Sequence, residues 1–275
     1  MTSIAGTGLG LRQPHIREIL DHRPPVPWFE VLTDNYLGIG GEPLEQLLEI
    51  RSHYPVVLHG VGMNLGSTDP LDESYLDKVC ELRELLQPEW ISDHLCWTAV
   101  GGRCHHDLLP LPFTEEVVAH LCERISRVQD RLGERILVEN ASAYVCFRNP
   151  EFEEWEFVRE VAERADCDVL LDINNIYVNS FNFGFDPSTY IEAVPASRVR
   201  QLHLAGYADQ GSYLVDTHGA DITAAVWRFY QASLKHLGAI PVSIERDNDI
   251  PAFDVLYAEL EQAQRLIEDE TGGAD

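Results

Sequence analysis

Six short runs in this chain, most of them apolar, each end on a residue able to bind a metal ion. They read Val56-Val57-Leu58-His59, Trp90-Ile91-Ser92-Asp93-His94, Ile136-Leu137-Val138-Glu139, Val169-Leu170-Leu171-Asp172, Arg200-Gln201-Leu202-His203 and Val242-Ser243-Ile244-Glu245. Runs this short and this rich in β-branched residues suit strands of a buried parallel sheet better than helices. A carboxylate or imidazole ending such a strand needs a compensating partner, because an unpaired buried charge costs several kcal/mol or stays neutral. The polar ends must therefore meet one another, or a cation.

Between the strands the sequence carries helix signals. The spacing predicts a strand over 6–12, a helix over 14–21, a strand over 28–34 that holds Glu30 and Asp34, a helix over 43–53 and a strand over 55–59. A helix follows over 72–86, then a strand over 90–95. Residues 96–113 form a long excursion carrying His105 and His106, of the kind that usually serves as a lid or binding loop. Thr114 caps a helix to Leu132, and strand 136–139 is followed by a helix over 153–165. A strand over 168–175 leads into a polar loop over 177–185 and an Asp186-Pro187 helix start. A strand over 199–205 is followed by a loop with Asp216 and His218, then by a helix capped near Asp221. A strand over 240–246 and a helix over 251–267 complete the series.

Eight strands alternating with eight helices predict an α/β chain folded as a (β/α)8 TIM barrel, with its chemistry at the C-terminal ends of the strands. A doubly wound open sheet is the competing fold, but it does not normally place ligands on so many consecutive strand ends. At 275 residues and 45% hydrophobic, the chain suffices for one barrel domain over 1–275. The glycines of Gly6-Thr7-Gly8-Leu9-Gly10 do not have the spacing of a dinucleotide fingerprint.

No basic region followed by an apolar run opens the chain, and no apolar stretch is long enough to span a membrane, so a cytoplasmic protein is expected. The six cysteines show no Cys-x-x-Cys pair and read as reduced packing residues. A net charge of −26 argues against a nucleic-acid partner, which calls for a basic groove.

Singly, each strand-end His or carboxylate is more often a hydrogen-bonded core residue than a ligand. Together, His59, His94, Glu139, Asp172, His203 and Glu245 converge on one barrel mouth, and cations are what readily satisfy so many inward donors. Nitrogen and oxygen donors without thiolate suit zinc, manganese or non-heme iron, and Glu139 is the natural bridge between two ions. Asp216 and His218 could equally pair with each other across their loop. Asp247 lies two positions past Glu245, on the same side, as a base or an orienting group. His106 is a candidate for substrate contact or simple loop anchoring.

The motifs His59-Gly-Val-Gly, Ser92-Asp-His-Leu, His106-Asp-Leu-Leu-Pro-Leu-Pro, Glu139-Asn-Ala-Ser, Leu171-Asp-Ile-Asn-Asn-Ile-Tyr-Val, His203-Leu-Ala-Gly, Asp216-Thr-His218 and Ile244-Glu-Arg-Asp occur in this order. The series, which covers nearly the whole chain, resembles the multinuclear non-heme iron-dependent oxidative enzymes. The resemblance implies a xylose-isomerase-like barrel holding two or three irons and using O2 to oxidise cysteine residues of a ribosomally made precursor peptide, usually with a peptide-recognition partner protein. It would assign His59, His94 and Glu139 to one iron, and Glu139, Asp172, His203 and Glu245 to a second. A third would use Asn175, Asp216, His218 and a histidine that is replaced here by Phe183. A second histidine usual in the family is replaced by Tyr207. Two other readings compete. One is a divalent-metal sugar isomerase or hydrolase on the same barrel, and the other is a non-catalytic iron-binding scaffold.

Overall fold

The computed structural model describes residues 4–38 and 40–272. In chain order the first elements are β1 (Thr7–Gly10), α1 (Ile16–His22), β2 (Phe29–Leu32), α2 (Glu42–His53), β3 (Val56–His59), α3 (Glu73–Leu86) and β4 (Ile91–His94). There follow β5 (Trp97–Val100), β6 (Arg103–Leu109), α4 (Glu115–Leu132), β7 (Leu137–Glu139), α5 (Glu154–Arg164), β8 (Asp168–Asp172), α6 (Ile173–Phe183) and α7 (Pro187–Ala193). The last are β9 (Val199–Leu204), β10 (Tyr207–Asp209), β11 (Leu214–Asp216), α8 (Ala224–Leu237), β12 (Val242–Ile244) and α9 (Phe253–Gly272).

Eight strands close into a barrel in the order β1-β12-β9-β8-β7-β4-β3-β2, and every pairing is parallel. This is the expected (β/α)8 architecture. The helices form because their signals agree with their packing. In α4 the Thr114 side chain accepts from the Val117 N–H, acidic Glu115 and Glu116 sit in the first turn, and Gly133 ends the helix in the left-handed conformation. Its buried face, Val118, Leu121, Ile125, Val128 and Leu132, recurs at helical spacing and packs in the layer between barrel and helices. Truncating one of these residues to alanine would cost about 2–5 kcal/mol.

Several expectations are corrected. The 96–113 excursion is a β5–β6 hairpin, and β10 and β11 form a second one. The sixth barrel strand ends at Asp172 rather than Asn175, and the expected polar loop over 177–185 is largely α6. Asp172 is the reason: its Oδ1 accepts from the Asn175 N–H at 2.6 Å and caps the helix. The helix expected to be capped near Asp221 is α8, and its cap is Thr223. Among the cysteines, all free, Cys104 and Cys146 are exposed rather than packed.

Inside the barrel the chemistry changes along each strand with a period of two. One inward layer is apolar: Trp28, Val57, Trp90, Leu137 and Leu170 form their own buried cluster. Trp28 and Trp90 meet edge to face, with centroids 6.2 Å apart. Gly8 makes this possible, since a Cβ there would lie 2.4 Å from the Trp28 indole. Two residues further along the same strands stand Glu30, His59, Ser92, Glu139 and Asp172. The tryptophan layer therefore forms a dry floor beneath a polar mouth.

Candidate metal centre

Parallel register brings the strand ends side by side: His94 opposite Glu139, and Asp172 opposite His203. Glu139 stands at the centre. Its Oε2 lies 3.2 Å from His59 Nε2 and 3.1 Å from His94 Nε2, while its Oε1 lies 3.1 Å from His203 Nδ1. His203 Nδ1 also faces Glu245 Oε2 at 3.2 Å. Among the described residues, four groups have ligand atoms close enough to hold a metal ion: His59–His94–Glu139, Glu139–Asp172–His203, His59–His203–Glu245 and Asp172–His218–Glu245.

Each imidazole is oriented from behind. His59 Nδ1 meets Ser92 Oγ at 2.8 Å and His94 Nδ1 meets the Gly60 carbonyl at 3.1 Å, which leaves both Nε2 atoms facing inward. His203 is turned the other way: its Nε2 meets Glu30 Oε2 at 2.9 Å, presenting Nδ1 to the centre. Glu30 is itself fixed by Gln201, whose amide donates to the same carboxylate oxygen while accepting from the Trp90 indole N–H at 2.5 Å. A hydrogen bond on the second nitrogen is how metal-binding histidines are held in one tautomer.

The strand ends β7 and β8 are locked together by Asn140, whose Oδ1 accepts from the Asp172 N–H at 2.9 Å and whose Nδ2 donates to the Asp172 carbonyl at 3.1 Å. The Asp172 carboxylate then divides its work. Oδ1 caps α6, whereas Oδ2 is buried without a hydrogen-bond partner.

Glu30 Oε1, Asn174 Oδ1 and Asn175 Oδ1 are likewise buried without one. Buried polar atoms in folded proteins are nearly always satisfied. Gathered at one mouth, these fit cations as their missing partners. Electrostatics agree: burial pushes the Asp172 carboxyl well above the usual carboxylate range, and the negative charges of Glu139 and Asp216 add to the shift. Burial pushes Glu139 up too, but the imidazoles of His94, His203 and His59 more than reverse it, to about 2.

The outer donors come from loops. His218 Nε2 lies 2.8 Å from Asp216 Oδ1 and 3.6 Å from Asp172 Oδ2, and its Nδ1 lies 3.2 Å from Glu245 Oε2 and 3.1 Å from Asp247 Oδ2. Asp216 also receives hydrogen bonds from Asn174 Nδ2 at 2.8 Å and Ser142 Oγ at 3.1 Å. Asn175 belongs to the first turn of α6, with Nδ2 donating to the Asn140 carbonyl at 3.1 Å. Asp247 accepts from Arg12 at 2.5 Å, and its side chain is 44% exposed. His106 stands exposed on β6, outside the cluster.

Phe183 stands at the position where the resemblance would put a histidine. It ends α6 eight residues past Asn175, ~12 Å along the helix axis, and lines an apolar groove instead. Tyr207 stacks on Tyr177 at 5.6 Å. Glu30 and Gln201 are what sequence reasoning left out of the site. The signal was available for Glu30, since it follows Trp28 by two positions as His59 follows Val57.

Solved structures share the fold. A D-tagatose 3-epimerase-like protein superimposes with a TM-score of 0.64 at 15% identity, covering 98% of this chain and 100% of that one. Endonuclease IV from Thermus thermophilus does so with a TM-score of 0.58 at 17% identity, again over 98% and 100%. In sequence, a UPF0276 protein of Acaryochloris marina is 50% identical over 267 residues, 97% of this chain and 96% of its own. One of Anaeromyxobacter sp. is 50% identical over 263 residues, 96% and 93%. The profile of the family described as RiPP precursor modification enzyme MbnB/TglH/ChrH matches residues 6–268. With the motif series and the barrel, that match places this chain in the MbnB/TglH/ChrH family of RiPP precursor modification enzymes, the multinuclear non-heme iron-dependent oxidative enzymes.

Proposed function

We propose that this chain is an O2-dependent, multinuclear non-heme iron oxidase that modifies cysteine residues of a ribosomally synthesised precursor peptide. The cluster of unpartnered buried donors at the barrel mouth, in a chain of a peptide-modifying family, carries the reading. His59, His94 and Glu139 would hold one iron, and Glu139, Asp172, His203 and Glu245 a second. A third would draw on Asn175, Asp216 and His218, supported by the unpartnered Asn175 Oδ1. Iron bound there supplies the electron transfer to O2 and the oxidising power that protein side chains lack.

The chain's own residues do the rest. Glu30 and Ser92 hold two of the imidazoles in their metal-facing tautomers. The tryptophan floor excludes water from below, which strengthens every charge interaction above it. Asp247, half open to solvent and held by Arg12, is the assigned acceptor for a proton leaving the substrate. His106, exposed on the β5–β6 hairpin, is assigned to contact with the peptide. A separate peptide-recognition protein is the expected partner. No helix among the described residues is long and apolar enough to cross a membrane, and the proposed setting is the cytoplasm. The charge of −26 opposes a nucleic-acid substrate.

The test is to purify the protein without oxygen from iron-supplemented cells, measure its metals, and supply O2 with a Cys-containing peptide encoded beside its gene. About two irons per chain, with O2 consumed and mass loss confined to cysteine, is the expected result. Less than one transition metal per chain after reconstitution would sink the reading. Anaerobic interconversion of a sugar with manganese would replace it with Lewis-acid chemistry.

A further inference from the structure

A peptide whose residue is modified at the barrel mouth must rest on the surface beside it. Three segments that leave the barrel at that end build such a surface: the stretch after β6, the β7–α5 connection, and the end of α6. Between them lies a groove of about 240 Å³, lined among others by Phe113, Val145, Phe147, Trp155, Phe183 and Phe185. Val145, Phe147 and Phe183 are 62%, 45% and 40% exposed. Large apolar side chains left together in water mark a binding surface rather than a core.

We propose that this groove holds one large apolar side chain, aromatic or branched aliphatic, of the precursor peptide, within a few residues of the cysteine that is modified. The inference rests on the proposed function for its substrate class. Continuity with the candidate metal centre identifies the occupant. Glu139 of the cluster and Ala143 of the groove wall are four residues apart on one segment. Between and just beyond them, Ser142 Oγ bonds Asp216 Oδ2 at 3.1 Å, and Tyr144 Oη accepts from the Asp216 N–H at 3.0 Å. A chain with one side chain in the groove and another over the cluster would follow this segment.

The groove is also pre-formed. Buried Asn179 accepts from the Ala143 N–H at 2.8 Å, and donates to the Ala141 carbonyl at 3.2 Å and to both oxygens of the Glu154 carboxylate. Tyr190 Oη donates to that carboxylate at 3.3 Å. A wall fixed in this way loses little freedom on binding. Phe183, at the end of α6, adds its exposed ring to the apolar lining.

The experiment uses dye-labelled synthetic peptides with one cysteine in a glycine background, and a phenylalanine at one to six positions on either side. Serine replaces the phenylalanine in matched controls. Binding to anaerobically purified, iron-loaded protein is followed by fluorescence anisotropy. Burying one aromatic side chain corresponds to about tenfold or more in affinity, so at least one phenylalanine peptide should bind about tenfold tighter than its control. Phe147→Asp and Val145→Asp should each remove most of that preference. Val255→Asp, at an exposed position on α9, should keep it. Equal affinities at every spacing, no binding of any peptide, or a preference that survives both groove substitutions overturns the inference. Because binding is read without turnover, the two proposals separate. A groove preference without O2-dependent oxidation sinks the oxidase and leaves the groove, and oxidation without a preference does the reverse.

Discussion

Glu139 and Glu154 both turn a carboxylate inward at the same end of the barrel, yet their acidities part widely. Glu139 is held at about 2 by three imidazoles that outweigh its burial. Glu154 is pushed by burial up to about 7, because its neighbours, Asn179 and Tyr190, are neutral and offset only part of the cost. Burial alone would move both the same way. What differs is whether the partners carry charge, and that separates a group suited to a cation from one whose charge is disfavoured under the groove wall.

The largest effect that would break this contrast is at Glu139. Replacing it with glutamine removes a carboxylate that faces His59, His94 and His203 at 3.1–3.2 Å, so metal per chain should fall from about two to below one. Asp216→Asn should lose less, since Asp216 stands at the outer edge. Equal losses by elemental analysis would show that Glu139 is not the hub.

Glu30→Gln tests the layer behind the donors. It removes the carboxylate that fixes His203 with Nδ1 inward, and an orienting group of this kind typically contributes about 10–100-fold in metal affinity. A competition titration with a chromophoric chelator would show the loss, and circular dichroism would confirm an intact fold. Unchanged affinity would mean that His203 keeps its orientation through Gln201 alone.

Glu154 gives a smaller effect, in the pH profile of stability. Between its ordinary value of 4.5 and its folded value of about 7, the native chain holds a proton that the unfolded chain gives up. Stability should therefore fall as pH rises through that window, by at most about 3 kcal/mol, and level off on either side. Glu154→Gln should flatten this part of the profile in denaturant titrations at pH 5, 6, 7 and 8. An identical slope in both proteins would place the carboxyl with the charge-stabilised group instead.

The smallest effect is expected from Phe183→His. The new imidazole would sit in the groove, two helical turns beyond Asn175, so metal content should stay the same within error. Anomalous scattering at the iron edge that gained a site in the variant would show that position 183 reaches Asp216 and His218 after all.

The sequence by itself determined the barrel and most of its inner donors. A parallel strand buried on both faces leaves its mark as an apolar run, and a donor at its end stands out against that run. His59, His94, Glu139, Asp172, His203 and Glu245 were legible for this reason. Asn175 was legible as a residue but not as part of a helix, because the apolar run hides the Asp172 cap that starts α6. Only the tertiary structure decided the rest. Glu30 holds His203 because closure of the barrel brings β2 within reach of β9 across the interior, and no spacing in the chain encodes that contact. Phe183 stands at the end of a helix and in the groove wall because α6 continues where a loop was expected, and a helix advances about 1.5 Å per residue. Local chemistry identified which residues could act. Closure of the barrel and the course of one helix decided which of them meet.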